Sequence, residues 1–185
     1  MKSINELFTP YAQLETKVRG LMAQLFSNTC GMCTACCCRV DICEEAIQSA
    51  FLSQLLKKQG LSEKDMDDRI GWLDLSGCSL EYGKPPICYA YFCDQLLSRL
   101  PDDDTRYATS VLGKLMHHIG QNALNDLHLV EIRNQDDLEK ADLTDVFHRL
   151  EEAQEAHQVL EQFVQSGRLV KSDHEILSKI TTEDP

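Results

Sequence analysis

Apolar residues recur along much of the chain with the spacing of amphipathic helices. Between residues 4 and 26 they fall at every third or fourth position, which places them on one face of an α-helix. The same period returns over 41–59, from 105 to about 127, and over 142–166. Residues after 171 predict one further short helix. The pattern therefore predicts a long N-terminal helix, a second helix, and C-terminal helices.

The stretch between these helical regions is irregular. Residues 61–105 contain Gly71, Gly77, Gly83, Pro85, Pro86 and Pro101, each of which interrupts a regular element. No segment alternates apolar and polar residues for long enough to predict a sheet. We therefore predict an all-α fold in one domain, 1–185, with a cysteine-rich region over 29–95 and a helical region over 105–180.

Composition and charge restrict the function classes. Hydrophobic residues make up 43% of the 185 residues and charged residues 26%, which is typical of a soluble protein with a packed core. Thirty acidic residues against eighteen Lys and Arg leave a net charge of −12, which repels phosphate backbones and anionic membranes. The N-terminus has no secretory pattern, and no apolar stretch is long enough to span a bilayer. These features predict a cytoplasmic protein that binds neither nucleic acid nor membranes.

The nine cysteines carry the strongest chemical signal. Six of them lie between positions 30 and 43, and in a reducing compartment such density indicates metal ligation rather than disulfides. The first group has the CxxCxxCC spacing, and a two-residue spacer lets two sulfurs reach one ion. A second group follows in the irregular stretch. The predicted ligands are Cys30, Cys33, Cys36, Cys37, Cys78, Cys88 and Cys93.

Spacing leaves the metal and its stoichiometry open. Adjacent side chains in extended backbone point to opposite sides, so Cys36 and Cys37 do not readily bind one ion together. Either one of them supports the site without binding, or two ions are held. A single zinc, a pair of ions, and an iron–sulfur cluster all fit seven thiolates. Cys38 and Cys43 are weaker candidates, and Cys43 near a helix start is compatible with simple packing.

The two cysteine groups together resemble a known family. The CxxCxxCC run, the segment Gly77-Cys78-Ser79-Leu80-Glu81, and the segment Pro85-Pro86-Ile87-Cys88-Tyr89-Ala90-Tyr91-Phe92-Cys93 are similar to the YkgJ-type cysteine-cluster family of zinc- or iron-chelating proteins. The chain differs in having Lys84-Pro85 where that pattern has Arg-Pro, and in its additional cysteines, Cys38 and Cys43. The resemblance covers residues 30–93 and implies a metal-binding module, which in some relatives accompanies a methyl-transferring enzyme.

Residues outside the cysteines give weaker signals. Asp145 and His148 have the i, i+3 spacing of carboxylate-bridged metal sites in helix bundles, but the sequence shows no matching pair on another helix. We expect the histidines to be surface or satisfied core residues, and Trp72 to be a core residue. The acidic run at Glu151, Glu152, Glu155 and Glu161 predicts a solvated helix face. No phosphate-binding loop, nucleophile elbow or zinc-protease motif is present.

Three functions follow from these patterns. The first is a non-enzymatic module in which zinc or an iron–sulfur cluster has a structural or redox-sensing role and another protein is the partner. The second is an iron–sulfur enzyme or accessory subunit in electron or methyl-group transfer. The third is a thiol redox switch without metal, which predicts reversible disulfides.

Overall fold

Helices dominate the structure, as the apolar periodicity predicts. The computed structural model describes residues 2–30, 39–74 and 77–181. Its helices are α1 (Ile4–Cys30), α2 (Val40–Gln48), α3 (Ala50–Lys58), α4 (Ile87–Ala90), α5 (Asp94–Leu97), α6 (Asp103–Gly120), α7 (Gln135–Leu138), α8 (Leu143–Ser166) and α9 (Lys171–Thr181). Short 3-10 turns cover Glu63–Asp65 and Leu129–Glu131, and two-residue strands β1 (Leu73–Asp74) and β2 (Gly77–Cys78) pair antiparallel. Over the described ranges the fold is all-α with one minimal hairpin.

The main core lies where α6 packs against α1, α8 and α9. The predicted N-terminal stripe is confirmed, because its central residues are buried in this core together with the apolar faces of α6 and α8. The fully buried side chains include Leu7, Tyr11, Leu14, Val18, Leu112, Leu115, Met116, Ile119 and Ala153. None of the helices in the described ranges combines the length and the apolar character needed to cross a bilayer.

The predicted helix over 41–59 is wrong as a single element, because it breaks at Ser49. Ser49 is extended (ψ 126°), and its hydroxyl accepts a hydrogen bond from the Leu52 N–H at 3.2 Å. The Ala50 N–H leaves the helical ladder and donates to the carbonyl of Ile132 at 2.8 Å. Apolar spacing alone hides this break, since both halves present apolar residues to the protein interior.

Replacing Ser49 by alanine should lower the free energy of unfolding by about 1 kcal/mol, because α3 loses its N-terminal cap. Urea unfolding of the variant and the parent measures this change. Ser53→Ala is the matched control, since the Ser53 hydroxyl donates to the Ala50 carbonyl within α3 and caps no helix end. Equal losses in the two variants would contradict a capping role for Ser49.

The sequence predicts both ends of α8 correctly but places the end of α6 too late. Asp142 accepts hydrogen bonds from the first turn of α8, and Gly167 ends that helix with a left-handed φ of 68°. By contrast, α6 ends at Gly120, whereas its apolar stripe predicts an end beyond Asn125. Asn122 and Asn125 have positive φ values of 49° and 53°. Asparagine tolerates this conformation, which ends the helix although apolar residues continue beyond it.

Candidate metal centre

The first cysteine group lies almost wholly outside the described residues. Cys30 is the last residue of α1. Cys33, Cys36 and Cys37, together with the weaker candidate Cys38, fall within 31–38, which the structure does not describe. Their predicted role as ligands therefore stays a prediction.

The second group is spread over three short elements. Cys78 is partly buried in β2, where it pairs with Leu73. Cys88 is exposed on α4, and partly buried Cys93 precedes the first residue of α5. These elements are too short to be stable alone, so contacts with the longer helices must hold them in place.

Contacts at the end of α1 bring it against the segment that contains Cys93. The rings of Phe26 and Phe92 meet edge to face, with centroids 5.6 Å apart, and α1 also contacts α5. Cys30 is one helical turn beyond Phe26, and Cys93 directly follows Phe92. The residue before Cys93 therefore packs against Phe26, four residues before Cys30.

Contacts at the start of α2 bring it against the segment that leads to Cys78. The indole N–H of Trp72 donates to the carbonyl of Cys43 at 3.1 Å. Gly71 has a φ of 64°, and a Cβ built there would lie 2.8 Å from the Cys43 Cβ, so only glycine fits against this helix. The chain thus leaves the first cysteine group beside the hairpin that contains Cys78.

Cys43 packs as a small apolar residue. It is 9% exposed and belongs to a separate apolar cluster with Ala46, Leu56, Trp72 and Leu80. The expectation that Trp72 is a core residue is confirmed, since it is 3% exposed.

Glu15 anchors the segment that leads into Cys88. This carboxylate has no exposed surface and accepts hydrogen bonds from the Gly83 N–H (2.7 Å), the Lys84 N–H (2.9 Å) and the Tyr89 hydroxyl (2.6 Å). Burial raises the pKa of Glu15, although the three donors oppose the shift. The contact joins the middle of α1 to both sides of the Pro85-Pro86 pair.

Sequence reasoning missed Glu15, although its position contains a signal. It lies one turn after Tyr11 and beside Leu14, within the apolar stripe of α1. A lone carboxylate on a buried helix face requires donors from elsewhere in the fold. Arg19, one turn further on, extends the anchor by donating to the carbonyls of Leu80 (2.7 Å) and Glu81 (2.5 Å).

A cavity of about 620 Å³ lies beside α4. Its walls combine apolar residues with charged and polar ones from α2, α6, α9 and the loop after α6. The residues that line it include Glu45, Pro86, Ile87, Ala90, Lys114, His117, Asp126, His128, Glu131 and Ile180. This volume is within the range of small-molecule sites, so a ligand could bind against the helix that contains Cys88.

His128, in the wall of this cavity, is a satisfied structural residue, in agreement with the sequence expectation for histidines. Its Nδ1 accepts from the Val130 N–H at 3.2 Å, so Nε2 has the proton and donates to the His117 carbonyl at 2.8 Å. The two imidazoles stack with centroids 4.7 Å apart. Burial lowers the pKa of His128 to about 4, and neither ring nitrogen is available to bind a metal.

Comparison with known proteins identifies no family for this chain. The chain matches no family model, and no similarity to a curated protein or to a solved structure reaches significance.

Proposed function

We propose that this protein binds zinc or an iron–sulfur cluster through Cys30, Cys33, Cys36, Cys37, Cys78, Cys88 and Cys93, as a structural or redox-sensing module. The observation that carries the proposal is the position of the two ends of the first cysteine group. The end of α1 contacts the segment before Cys93, and the start of α2 contacts the segment before Cys78.

Chain length supports this proximity. The undescribed run between Cys30 and Arg39 has only eight residues, 31–38, and both of its described flanks contact the stretch that contains the later cysteines. We therefore propose that thiolates from both groups serve one centre.

The anchoring of the second group also supports a metal site. Glu15 and Arg19 hold 80–89 against α1 through hydrogen bonds to backbone and to Tyr89. This irregular segment is thus positioned by residues outside it, with Cys88 presented at the surface. Zinc bound by thiolates contributes folding free energy on the order of 10 kcal/mol in small fingers.

Apolar side chains near the later cysteines favour a protein partner. Ile87 is 48% exposed, Tyr91 63% and Leu97 38%. They flank Cys88 and Cys93 in sequence, and aromatic and aliphatic side chains of this kind are frequent at protein interfaces. The module would present its metal-bound segment to that partner.

The cavity beside α4 favours a second candidate, an iron–sulfur enzyme or accessory subunit in electron or group transfer. A substrate bound there would contact Ile87 and Ala90, the residues on either side of Cys88 and Tyr89. Zinc fits the first function, whereas iron with sulfide fits both a redox sensor and this second function.

Elemental analysis and an absorbance spectrum test the proposal, on protein purified without oxygen and without a metal-affinity tag. Stoichiometric zinc without colour supports the structural module. Iron with matching acid-labile sulfide supports a cluster, and turnover or ligand binding at the cavity then separates enzyme from sensor. Neither metal in stoichiometric amount, with disulfides that form reversibly, would instead establish the metal-free thiol switch.

Cysteine variants identify the ligands. Cys33→Ser, Cys36→Ser and Cys88→Ser should each lose most of the bound metal, because serine does not replace a thiolate ligand. Cys43→Ser is the matched control, because Cys43 packs in the apolar cluster around Trp72. The variant protein should retain its metal despite some loss of stability. Metal content that is unchanged in all three ligand variants would contradict the assignment.

A further inference from the structure

The cavity beside α4 has more acidic than basic side chains among the described residues that line it. The carboxylates of Glu45, Asp126 and Glu131 line it together with one lysine, Lys114. His128 adds no charge at neutral pH, because burial lowers its pKa to about 4. The described lining therefore has an excess of negative charge, which favours a cationic ligand.

Packing brings two of these carboxylates together in the wall of the cavity. Glu45 lies on α2, and Glu131 is the last residue of the 3-10 turn that contacts this helix. The Glu131 Oε2 accepts a hydrogen bond from the His128 N–H at 2.7 Å, which holds this carboxylate in place. A carboxylate has two acceptor oxygens, so Glu131 can also accept from a ligand.

Within the described ranges, the carboxylate of Glu45 has no hydrogen-bond donor. Burial raises the pKa of Glu45, the positive charge of Arg133 opposes this rise, and the negative charge of Glu131 adds to it. The guanidinium of Arg133 donates to the Gln48 side chain at 2.9 Å. A cation bound to both carboxylates would relieve their repulsion, whereas an anion would increase it.

Apolar side chains from other elements complete the walls. Ile87 and Ala90 come from α4, and Ile180 comes from α9. Ile87 is 48% exposed, so a ligand that covered it would remove apolar surface from water. Carboxylates from α2 and from residues 126–131 thus combine with apolar side chains from α4 and α9. This combination suits a ligand with a charged head and an apolar body.

We infer that this cavity binds a small organic amine, with the ammonium group of the ligand on the carboxylates of Glu45 and Glu131. Hydrogen bonds between ammonium and carboxylate groups are charge-assisted and stronger than those between neutral groups. Lys114 is only partly buried, so its flexible stem lets its own ammonium group turn to solvent. The inference rests on the second candidate function, whose cavity it uses, and names its ligand class. Binding itself needs no metal, because no cysteine is among the described lining residues.

Calorimetric titration of the full-length protein, as purified, with hexylammonium at neutral pH tests this inference. Hexan-1-ol is the neutral probe of equal length, and hexanoate is the anionic one. We expect hexylammonium to bind at a single site at least about 10-fold more tightly than hexan-1-ol, and hexanoate not to bind. Glu45→Gln and Glu131→Gln should each weaken hexylammonium binding at least about 10-fold, because each variant loses a charged acceptor. Neither residue is buried, so loss of binding does not reflect unfolding.

Glu44→Gln is the matched control, because Glu44 is the exposed neighbour of Glu45 on α2 and is not among the described lining residues. This variant changes the net charge of the protein equally and should bind hexylammonium as the parent does. The inference would be overturned by absence of saturable hexylammonium binding, by equal or tighter binding of hexan-1-ol or hexanoate, or by equal losses in Glu44→Gln and Glu45→Gln. Zinc and iron are measured in the same samples. Failure of amine binding in protein that retains its metal would refute this inference alone and leave the cysteine centre intact.

Discussion

Replacing Glu15 by alanine is expected to lower the free energy of unfolding by about 3 to 5 kcal/mol, the cost of breaking a buried charged network. The variant would leave the N–H groups of Gly83 and Lys84 and the hydroxyl of Tyr89 without their acceptor. Buried donors that lose an acceptor cost far more than the net contribution of an ordinary hydrogen bond. Urea unfolding at neutral pH measures the loss.

Amide hydrogen exchange should show which residues lose protection in the Glu15→Ala variant. Amide hydrogens of residues 80–89 are expected to exchange faster than those of α6, because the anchor acts on that segment. Gln13→Ala is the control on α1, since Gln13 is exposed and its loss should change stability by less than about 0.5 kcal/mol. Similar stability of the Glu15→Ala and Gln13→Ala variants would show that the 83–89 segment does not depend on Glu15.

Acidification should remove about 3 kcal/mol of stability through His128 alone. Its pKa is about 4 in the folded protein, against an ordinary value of 6.5. Between these values the unfolded chain binds a proton that the folded chain excludes, so stability falls as the pH decreases from about 6.5 to 4. The proton would occupy Nδ1, where it would displace the hydrogen bond from the Val130 N–H.

His128→Asn isolates this contribution, because asparagine can cap the turn but does not titrate. The variant should be less stable than the parent at pH 7, and the difference should shrink as the pH is lowered toward 4. Urea unfolding of the variant and the parent at pH 7, 6 and 5 measures this difference. A difference for His128→Asn that does not change with pH would contradict the linkage.

Helix positions follow from sequence because they depend on local chemistry. Apolar spacing identified α1, α6 and α8, and the caps at Asp142 and Gly167 identified both ends of α8. Where a boundary depends on a distant contact, the sequence prediction is wrong. At the break at Ser49 the Ala50 N–H donates to the Ile132 carbonyl, and at the end of α6 the His128 ring packs on Gly120.

The candidate metal centre also depends partly on the sequence alone and partly on tertiary contacts. Sequence by itself predicted the metal ligands between Cys30 and Cys93, from thiol density and spacing, and this assignment stays a prediction. Only the tertiary structure decided which distant groups meet. It brings Glu15 to the segment before Cys88, and His118 to Glu152, across separations of 68 to 74 and 34 residues. Such contacts depend on how amphipathic faces pack, and apolar periodicity defines each face but not its partner.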